Sequence, residues 1–275
     1  MKFKIAVVQF EIKQYSPEEN LKKAGEFVKK ASLSKAKIIV FPEDFITGPI
    51  GLRLEEFADS KNQYCKFFQN LAKKYKIDIV PGSIIEKDKL GFYNTAYYIG
   101  SNGKIKSRYR KINLWHPEKY YLNPGNKICV FNTKYGKIGL IICWDLIFPE
   151  VFRKMAKKGA NIIICPSYWT FKDASVGLKY DKNSDAKLVD SMCVGRAFEN
   201  EIIMVYCNAA GNLILPKFKG KLLGHSQITV PFRGAIKKLE HNNEEMFIQE
   251  VDTAILRDAE KAYKIRKDLK NRILY

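Results

Sequence analysis

The sequence contains little histidine: its 275 residues include three, His116, His225 and His241. A serine hydrolase triad would have to use one of them, yet the chain has no G-x-S-x-G pattern to supply the nucleophile elbow. An H-E-x-x-H zinc motif is absent as well, and so few histidines argue against a histidine-rich metal centre. The sequence therefore predicts neither a serine triad nor a metal site.

Long apolar runs and closely spaced cysteine pairs are also absent. No stretch reaches the ~18 uninterrupted apolar residues that a membrane-spanning helix requires. The N-terminal "MKFKIAVVQFEIKQ" begins like a signal peptide, but Gln9 interrupts its apolar run. We therefore interpret it as a first β-strand, and expect a cytoplasmic protein with no membrane partner. The six cysteines form no C-x-x-C pair, which excludes a zinc ribbon or a thioredoxin-type site.

Four of the cysteines lie in apolar surroundings, which predicts buried thiols in a protein of a reducing compartment. These four are Cys129, Cys165, Cys193 and Cys207.

Basic residues are abundant: the chain has 48 of them and 29 acidic residues, for a formal charge of +19. Such a charge can attract nucleic acid, but the lysines are spread along the chain and no nucleic-acid-binding motif is present. We interpret the charge as a solvated surface and do not expect nucleic acid as the main partner.

The N-terminal segment has a β-α-β pattern. "KFKIAVVQF" and "KIIVFPE" are typical of buried strands, and the helical periodicity of "SPEENLKKAGEFVKKASLSKA" lies between them. Ser16 is the expected N-cap, Pro17 fits the first helical position and Glu19 has capping-box spacing. A β-α-β unit favours a parallel sheet covered by helices.

The second half of the chain repeats this plan. "GKIGLIICWD" and "NIIICPS" predict strands, and "FPEVFRKMAKKGA" predicts a helix that begins near Pro149. A hairpin is expected around Asn102-Gly103, and a charged helix and tail at about 254–275. We therefore expect one domain, 1–275, of class α/β, with two stacked sheets flanked by helices. In such sheets, ligands bind at the carboxyl ends of parallel strands.

Three strand-to-loop junctions carry reactive side chains, namely Glu43 in "FPEDF", Lys111 in "YRKINL" and Cys143 in "CWD". A carboxylate can accept the proton of a thiol, and an ammonium nearby favours the thiolate. Lys111 and the backbone N–H of Trp144 could then stabilise negative charge on an attacked carbonyl oxygen. Together these groups suffice for acyl transfer through a thioester.

The three motifs occur in the order found in one family. "KIIVFPEDFITG", "KSRYRKINL" and "GLIICWDLIFPE" resemble the glutamate, lysine and cysteine motifs of the nitrilase superfamily of carbon–nitrogen hydrolases. "FYNTAYYI", "GRAFENEIIMVYCNAAG", "GHSQITVPFRGAI" and the terminal "YKIRKDLKNRILY" also follow the patterns of that family. The resemblance thus covers nearly the whole chain.

The resemblance implies an αββα sandwich of two mixed sheets, a homodimer or larger homo-oligomer, and no metal or organic cofactor. It carries the nucleophile onto Cys143, the base onto Glu43 and the oxyanion donor onto Lys111. A second family glutamate maps onto Glu118, where it would orient Lys111 and the leaving group. The sequence departs from many relatives at Asn113, where they have histidine, and we expect little consequence because that position does not react.

Each of these residues also has a simpler interpretation. Cys143 alone could be one more buried thiol, Glu43 a loop carboxylate, Lys111 a surface lysine and Glu118 part of a surface loop. The joint occurrence of the motifs favours the catalytic interpretation. Among the aromatic residues that follow strand ends, we expect the cavity wall and substrate contacts to involve Phe45, Trp144 and Trp169.

The predicted function is that of a thiol-dependent amidohydrolase. It would cleave a non-peptide C–N bond in a small amide or carbamoyl compound and release ammonia or an amine. The form of "HPEKYYLNPG" resembles the carbamoyl-amine and aliphatic-amide branches of the superfamily. Alternatives on the same site are nitrile hydrolysis and acyl transfer to an amine, and a further alternative is an inactive fold that uses its basic surface for binding.

Overall fold

The computed structural model describes residues 1–51, 53–215 and 218–271. Its strands, in chain order, are β1 (Lys2–Gln9), β2 (Ile38–Val40), β3 (Asp78–Val80), β4 (Ser83–Asp88), β5 (Gly91–Ile99), β6 (Ile105–Arg110), β7 (Cys129–Thr133), β8 (Gly136–Leu140), β9 (Ile162–Ser167), β10 (Ile203–Asn208), β11 (Asn212–Leu215), β12 (Phe218–Lys221), β13 (Gln227–Val230), β14 (Gly234–Lys238) and β15 (Glu245–Asp252). The helices are α1 (Pro17–Leu33), α2 (Leu54–Phe57), α3 (Gln63–Tyr75), α4 (Pro149–Lys157), α5 (Ser184–Glu199), α6 (Ala254–Tyr263) and α7 (Ile265–Asn271).

Two mixed sheets form the centre of the fold. The first has the order β15-β1-β2-β3-β5-β4, with β6 paired to β5, and the second has the order β14-β13-β10-β9-β8-β7. Within them β1, β2 and β3 are parallel neighbours, as are β8, β9 and β10. The prediction that each half of the chain contributes a parallel β-α-β unit is confirmed.

The two faces of β1 show why the sheets are covered on both sides. Ile5 and Val7 belong to the buried cluster that joins this sheet to the second sheet. Ala6 and Val8 point the opposite way, into a cluster shared with the buried faces of α1 and α3. Because successive side chains of a strand alternate between faces, one apolar strand can serve both layers. The expected αββα sandwich is confirmed.

The start of α1 differs from the prediction in one detail. Ser16 is the N-cap residue, but its side chain makes no capping hydrogen bond, and its Oγ donates instead to the Gln14 carbonyl at 3.3 Å. Glu19 contacts the ammonium of Lys13 and does not reach back to the cap. The predicted capping box is therefore wrong, although the helix itself forms, because its apolar face is buried.

Of the remaining secondary-structure predictions, the hairpin is confirmed and the C-terminal helix is divided in two. The hairpin around Asn102-Gly103 is confirmed, with Gly103 at φ +79° in the turn between β5 and β6. The helix predicted from about 254 begins there, but Lys264, at φ +56°, divides it into α6 and α7. Residues 272–275 of the predicted tail lie outside the described residues. The sequence interpretation assigned no structure to α2, α3 or the β11–β12 hairpin.

The cysteines are free thiols and all six are buried, as predicted for the four in apolar surroundings. Over the part of the chain that the structure describes, none of the helices combines the length and the apolarity needed to cross a bilayer.

Candidate active site

Cys143 lies three residues beyond the end of β8, at the start of a single 3-10 turn formed by Cys143–Ile147. Its φ is +44°, in the left-handed region that residues other than glycine rarely adopt. Asp145 holds the turn, since its Oδ2 accepts hydrogen bonds from the Ile142 amide at 3.0 Å and from the Tyr109 hydroxyl at 2.7 Å. The strand therefore ends in a fixed turn that presents the sulfur to an internal cavity.

Asn113 connects this turn to the lysine segment. Its backbone N and its side-chain Nδ2 donate to Asp145 Oδ1 at 2.8 and 2.9 Å. From the other side, Arg196 donates to the carbonyls of Leu146 and Ile147 at 3.1 and 2.9 Å. Asn113 thus fixes the position of the cysteine turn, a role that the sequence did not reveal.

Lys111 joins the two glutamates that the sequence singled out. Its Nζ lies 2.9 Å from Glu43 Oε1 and 2.7 Å from Glu118 Oε2, and only 1% of the lysine is exposed. The Glu118 Oε2 atom also accepts the backbone N–H of Trp115 at 2.6 Å. The ammonium is therefore held between two carboxylates at the wall of the cavity that Cys143 also lines.

Asn94 is a member of this cluster that the sequence interpretation missed. It lies in β5, and its Nδ2 donates to Glu43 Oε1 at 2.8 Å and to Glu118 Oε1 at 3.0 Å. The residue is fully buried, so the two glutamates share a donor that is shielded from bulk solvent. The sequence signal that could have identified it is an amide side chain within the largely aromatic and apolar strand segment "FYNTAYYI".

Burial sets the direction of the pKa shift at Cys143 and Glu43, and the neighbouring carboxylates set it at Lys111. It raises the pKa of the Cys143 thiol well above its ordinary value, and Glu43 reinforces this while Lys111 opposes it. Burial also raises the pKa of Glu43, which makes that carboxylate a stronger base. For Lys111 burial disfavours the charge, but Glu118 and Glu43 outweigh it and raise the pKa of the ammonium well above normal. The arrangement suits a neutral thiol that transfers its proton as it attacks.

The cavity has a volume of about 700 Å³ and largely aromatic walls. Trp144 and Trp169 line it, with ring centroids 5.5 Å apart, and Trp115 lies 4.4 Å from Trp144. Tyr121 and Tyr168, which the sequence interpretation did not select, also lie in the wall. Within the described part of the chain, no group of three or more His, Cys, Asp or Glu side chains is arranged to hold a metal ion.

The prediction that Phe45 lines the cavity wall, like Trp144 and Trp169, is wrong. Phe45 is fully buried in the core under the helices, where its ring stacks on Phe41 at 4.9 Å and meets Phe10 at 5.0 Å. Asp44, at φ +52°, turns the chain between Glu43 and Phe45. This turn leaves Glu43 at the cavity and directs Phe45 into the core. The position of Phe45 just after a strand end therefore did not predict correctly that its side chain lines the cavity.

Gly82 packs closely against the backbone of Pro42, which directly precedes Glu43. A substitution of this glycine should therefore affect stability. At φ +61°, a Cβ on this residue would lie 1.8 Å from the carbonyl oxygen of Pro42. We expect Gly82→Ala to lower the free energy of unfolding by about 3 kcal/mol and to reduce activity by displacing Glu43. Urea denaturation measures the first effect and steady-state kinetics the second.

Gly51 provides the matched control for that substitution. Its φ is +50°, but a Cβ there would meet no atom within 4 Å. Gly51→Ala should therefore lose only the ~1–2 kcal/mol of left-handed backbone strain. Equal losses in the two variants would mean that the contact with Pro42 does not matter.

Comparison with known proteins places this geometry in a family. A family model described as carbon-nitrogen hydrolase matches residues 4–261. The 2-oxoglutaramate amidase of Bacillus subtilis is 32% identical over 235 residues, which cover 84% of each chain. The probable nitrilase C965.09 of Schizosaccharomyces pombe is 31% identical over 92% of this chain and 89% of its own.

The structural comparison agrees with the sequence comparison. The crystal structure of Saccharomyces cerevisiae Nit3, described as a member of branch 10 of the nitrilase superfamily, superposes with a TM-score of 0.84. The two chains are 28% identical, and the match covers 95% of this chain and 94% of the yeast protein. The chain belongs to the carbon–nitrogen hydrolase family.

Proposed function

We propose that the protein hydrolyses the C–N bond of a small amide through a thioester on Cys143, with Glu43, Lys111 and Glu118 as the other catalytic residues. The observation that carries this proposal is the contact of Lys111 Nζ with both glutamates, at 2.9 and 2.7 Å, in the wall of the cavity that Cys143 lines. Such a cluster supplies a base, an oxyanion donor and a nucleophile without a histidine.

The chemical steps follow from these positions. Glu43 accepts the thiol proton while the sulfur attacks the carbonyl carbon, and the oxygen gains negative charge. Lys111 and the Trp144 backbone N–H donate to that oxygen. Glu43 then passes its proton to the nitrogen, the C–N bond breaks, and ammonia or an amine leaves. Water, deprotonated by Glu43, attacks the thioester and releases the acid with the regenerated thiol.

The named relatives support an amide over a nitrile as the substrate. The Bacillus relative is named a 2-oxoglutaramate amidase and the yeast relative omega-amidase NIT3. The name of the Schizosaccharomyces relative, a probable nitrilase, keeps nitrile hydrolysis as the alternative. Trp144 and Trp169, which line the cavity, are proposed to contact the substrate.

A panel of primary amides, carbamoyl amines and nitriles, assayed for ammonia release, tests the proposal. The Cys143→Ala protein serves as the blank for each compound. Ammonia from amides in the unmodified protein alone supports the assignment, whereas ammonia from nitriles alone favours the alternative. Added amines would reveal acyl transfer as new amide products. If alkylation of the thiols leaves every activity unchanged, the thioester mechanism is wrong.

We also propose that a second copy of the chain covers an exposed aromatic cluster. Phe198, Phe232 and Tyr263 contact one another with ring centroids 5.1 to 6.5 Å apart, yet 38%, 47% and 48% of these residues are exposed. Val194 lies on the same helix, α5, and is 39% exposed. Contiguous exposed apolar surface of this kind commonly marks a protein–protein interface.

Phe198→Asp tests this interface. The variant should weaken self-association by about 30-fold or more, because a charge would be buried where an aromatic ring packs. Analytical ultracentrifugation over a concentration series gives the dissociation constants. Leu33→Asp is the control, since Leu33 is 74% exposed at the end of α1, and its association should not change. A monomeric unmodified protein would contradict the proposal.

The buried, unpaired thiols also support a cytoplasmic location, because free cysteines are typical of reducing compartments. We infer further that the chain works as one catalytic domain over 1–275. The buried cluster that joins the two sheets supports this, since the glutamate and lysine come from the first sheet and the cysteine from the second.

A further inference from the structure

The charge of the cavity wall is opposite to the charge of the chain as a whole. The sequence carries +19, and most of its lysines are exposed. The ionisable side chains that line the cavity include four acids but two bases, Lys111 and Arg53. The four acids are Glu43, Asp44, Glu118 and Asp173. A cavity lined with one sign of charge selects ligands of the other sign.

Asp44 is the acid in this wall that has an unpartnered oxygen atom. It follows Glu43 directly, and its buried Oδ1 atom has no hydrogen-bond partner among the residues that the structure describes. Among the ion pairs of the described residues, none includes Asp44. A carboxylate held away from water without a counter-charge is costly, so a ligand that supplies one would bind favourably there.

The surroundings of Asp44 suit a positively charged group. Asp173 also lines the cavity, and its oxygens accept hydrogen bonds from two neutral donors, the Thr170 N–H at 2.8 Å and the Thr170 hydroxyl at 2.7 Å. Tyr121 and Tyr168 lie in the same wall, and burial together with the charge of Asp44 raises the pKa of both phenols. Aromatic faces beside carboxylates are the usual environment for a bound cation.

Arg53 does not supply the missing counter-charge. Its guanidinium binds the carboxylate of Glu56 and stacks on Tyr15 at 4.2 Å and on Phe57 at 4.6 Å. Its side chain is 44% exposed. The second base, Lys111, is already held between the two catalytic glutamates. Neither base is therefore free to pair with a carboxylate at the far end of a substrate.

We propose that the substrate carries a protonated amine at the end remote from the scissile carbonyl, and that Asp44 is the residue that selects it, with Asp173 adding to the negative field. This inference rests on the proposed amidase function, because it assigns the outer part of that same cavity. An ω-amino amide would satisfy Asp44, whereas an amide with a terminal carboxylate would place two like charges together.

Three amides of equal length separate the possibilities. They are 5-aminopentanamide with a cationic end, hexanamide with a methyl group in its place, and adipamate with a carboxylate. Binding to the Cys143→Ala protein is measured by calorimetry, which requires no turnover. We expect the cationic amide to bind about tenfold or more tightly than hexanamide, and adipamate to bind most weakly.

Asp44→Asn tests the residue in the same assay. In the Cys143→Ala background it should reduce the preference for 5-aminopentanamide over hexanamide by about tenfold. The preference is a ratio of two affinities, so a loss of affinity that affects both amides equally cancels. Glu19→Gln is the control, since Glu19 is an acid of the exposed surface, and its ratio should not change. An unchanged ratio in Asp44→Asn would overturn the assignment of that residue.

A second readout follows from the protonation of Asp44. Burial raises the pKa of this carboxyl well above its ordinary value, Glu43 and Glu118 raise it further, and Lys111 opposes them. A cation that pairs with Asp44 should therefore lower this pKa. Calorimetry in buffers of different ionisation enthalpy, repeated over a series of pH values, should detect proton release with 5-aminopentanamide where the free carboxyl titrates, and Asp44→Asn should abolish it.

The outcomes distinguish this inference from the proposed function. If the intact protein hydrolyses all three amides and Cys143→Ala binds them equally, the cation site is wrong and the amidase proposal stands. If Cys143→Ala selects the cation through Asp44 but the intact protein hydrolyses none of the three, the cation site stands and the amidase proposal is contradicted. Preference for adipamate would overturn the cation site outright.

Discussion

Replacement of Cys143 by alanine should lower amide turnover by about 10⁴-fold or more, because without the sulfur no thioester can form. Cys143→Ser should be nearly as inactive, since a hydroxyl is a much weaker acid than a thiol and Glu43 would have to remove its proton. Steady-state ammonia release measures the loss. Mass spectrometry of acid-quenched enzyme should show an acyl adduct on the unmodified protein and none on Cys143→Ala.

The same position offers a control that separates chemistry from stability. Cys143 has φ +44°, which costs a residue with a Cβ about 1–2 kcal/mol relative to an unstrained backbone. Glycine carries no such cost. Cys143→Gly should therefore unfold at a higher denaturant concentration than Cys143→Ala, although both are inactive. Such a result would show that the turn stores strain in order to aim the sulfur.

Two outcomes would contradict this account. Substantial turnover by Cys143→Ala would mean that another group is the nucleophile. A Cys143→Gly protein no more stable than Cys143→Ala would mean that the turn is unstrained, and that the surrounding hydrogen bonds to Asp145 alone determine its shape.

The parts of the site that were predictable share one property. Glu43 and Cys143 follow the ends of the parallel strands β2 and β8, and Lys111 follows β6, so each position depends on a short local pattern. Apolar runs that end in proline, glycine or a polar residue identify such junctions in a sequence. The meeting of the three junctions in one cavity was expected from sheet topology and from the resemblance between motifs, and the structure brings them together.

The parts that were not predictable depend on the direction of individual side chains. The prediction that Phe45 lines the cavity wall is wrong, because the left-handed Asp44 turns the phenylalanine into the core. Asn94 lies inside a strand, where either face was possible, and it faces the two glutamates. Asn113 binds Asp145 through two donors, a contact that the sequence does not reveal. In each case a single backbone angle or hydrogen bond decides, and no periodic pattern encodes it.

The unpaired Oδ1 of Asp44 is a further feature that the sequence could not predict. A sequence shows that an acid follows Glu43, but only the structure shows that this acid forms no ion pair with a described residue. A buried group whose hydrogen bonds are incomplete commonly indicates an absent partner. Glu43 and Glu118 differ from Asp44, because Lys111 contacts both of them and Asn94 donates to both. The cavity thus combines two glutamates that share a counter-charge with an aspartate that has none among the ion pairs of the described residues.

Lys111→Met is expected to have the second large effect, on both rate and stability. Acylation should slow by about 10²–10³-fold or more, because the oxyanion loses its charged donor. The protein should also lose about 3–5 kcal/mol of stability, since Glu43 and Glu118 would remain buried without the cation that each contacts. Single-turnover kinetics with acid quenching measures thioester formation, and urea denaturation measures the free energy of unfolding.

The double variant Lys111→Met/Glu118→Gln separates these two effects. It removes one buried carboxylate together with the ammonium, so part of the lost stability should return. Acylation should stay slow, because no cation faces the developing oxyanion. If the double variant recovered the rate along with the stability, Lys111 would be only a counter-charge that allows two acids to be buried side by side. A rate that remains low in a protein of restored stability would instead require the ammonium to act on the transition state itself.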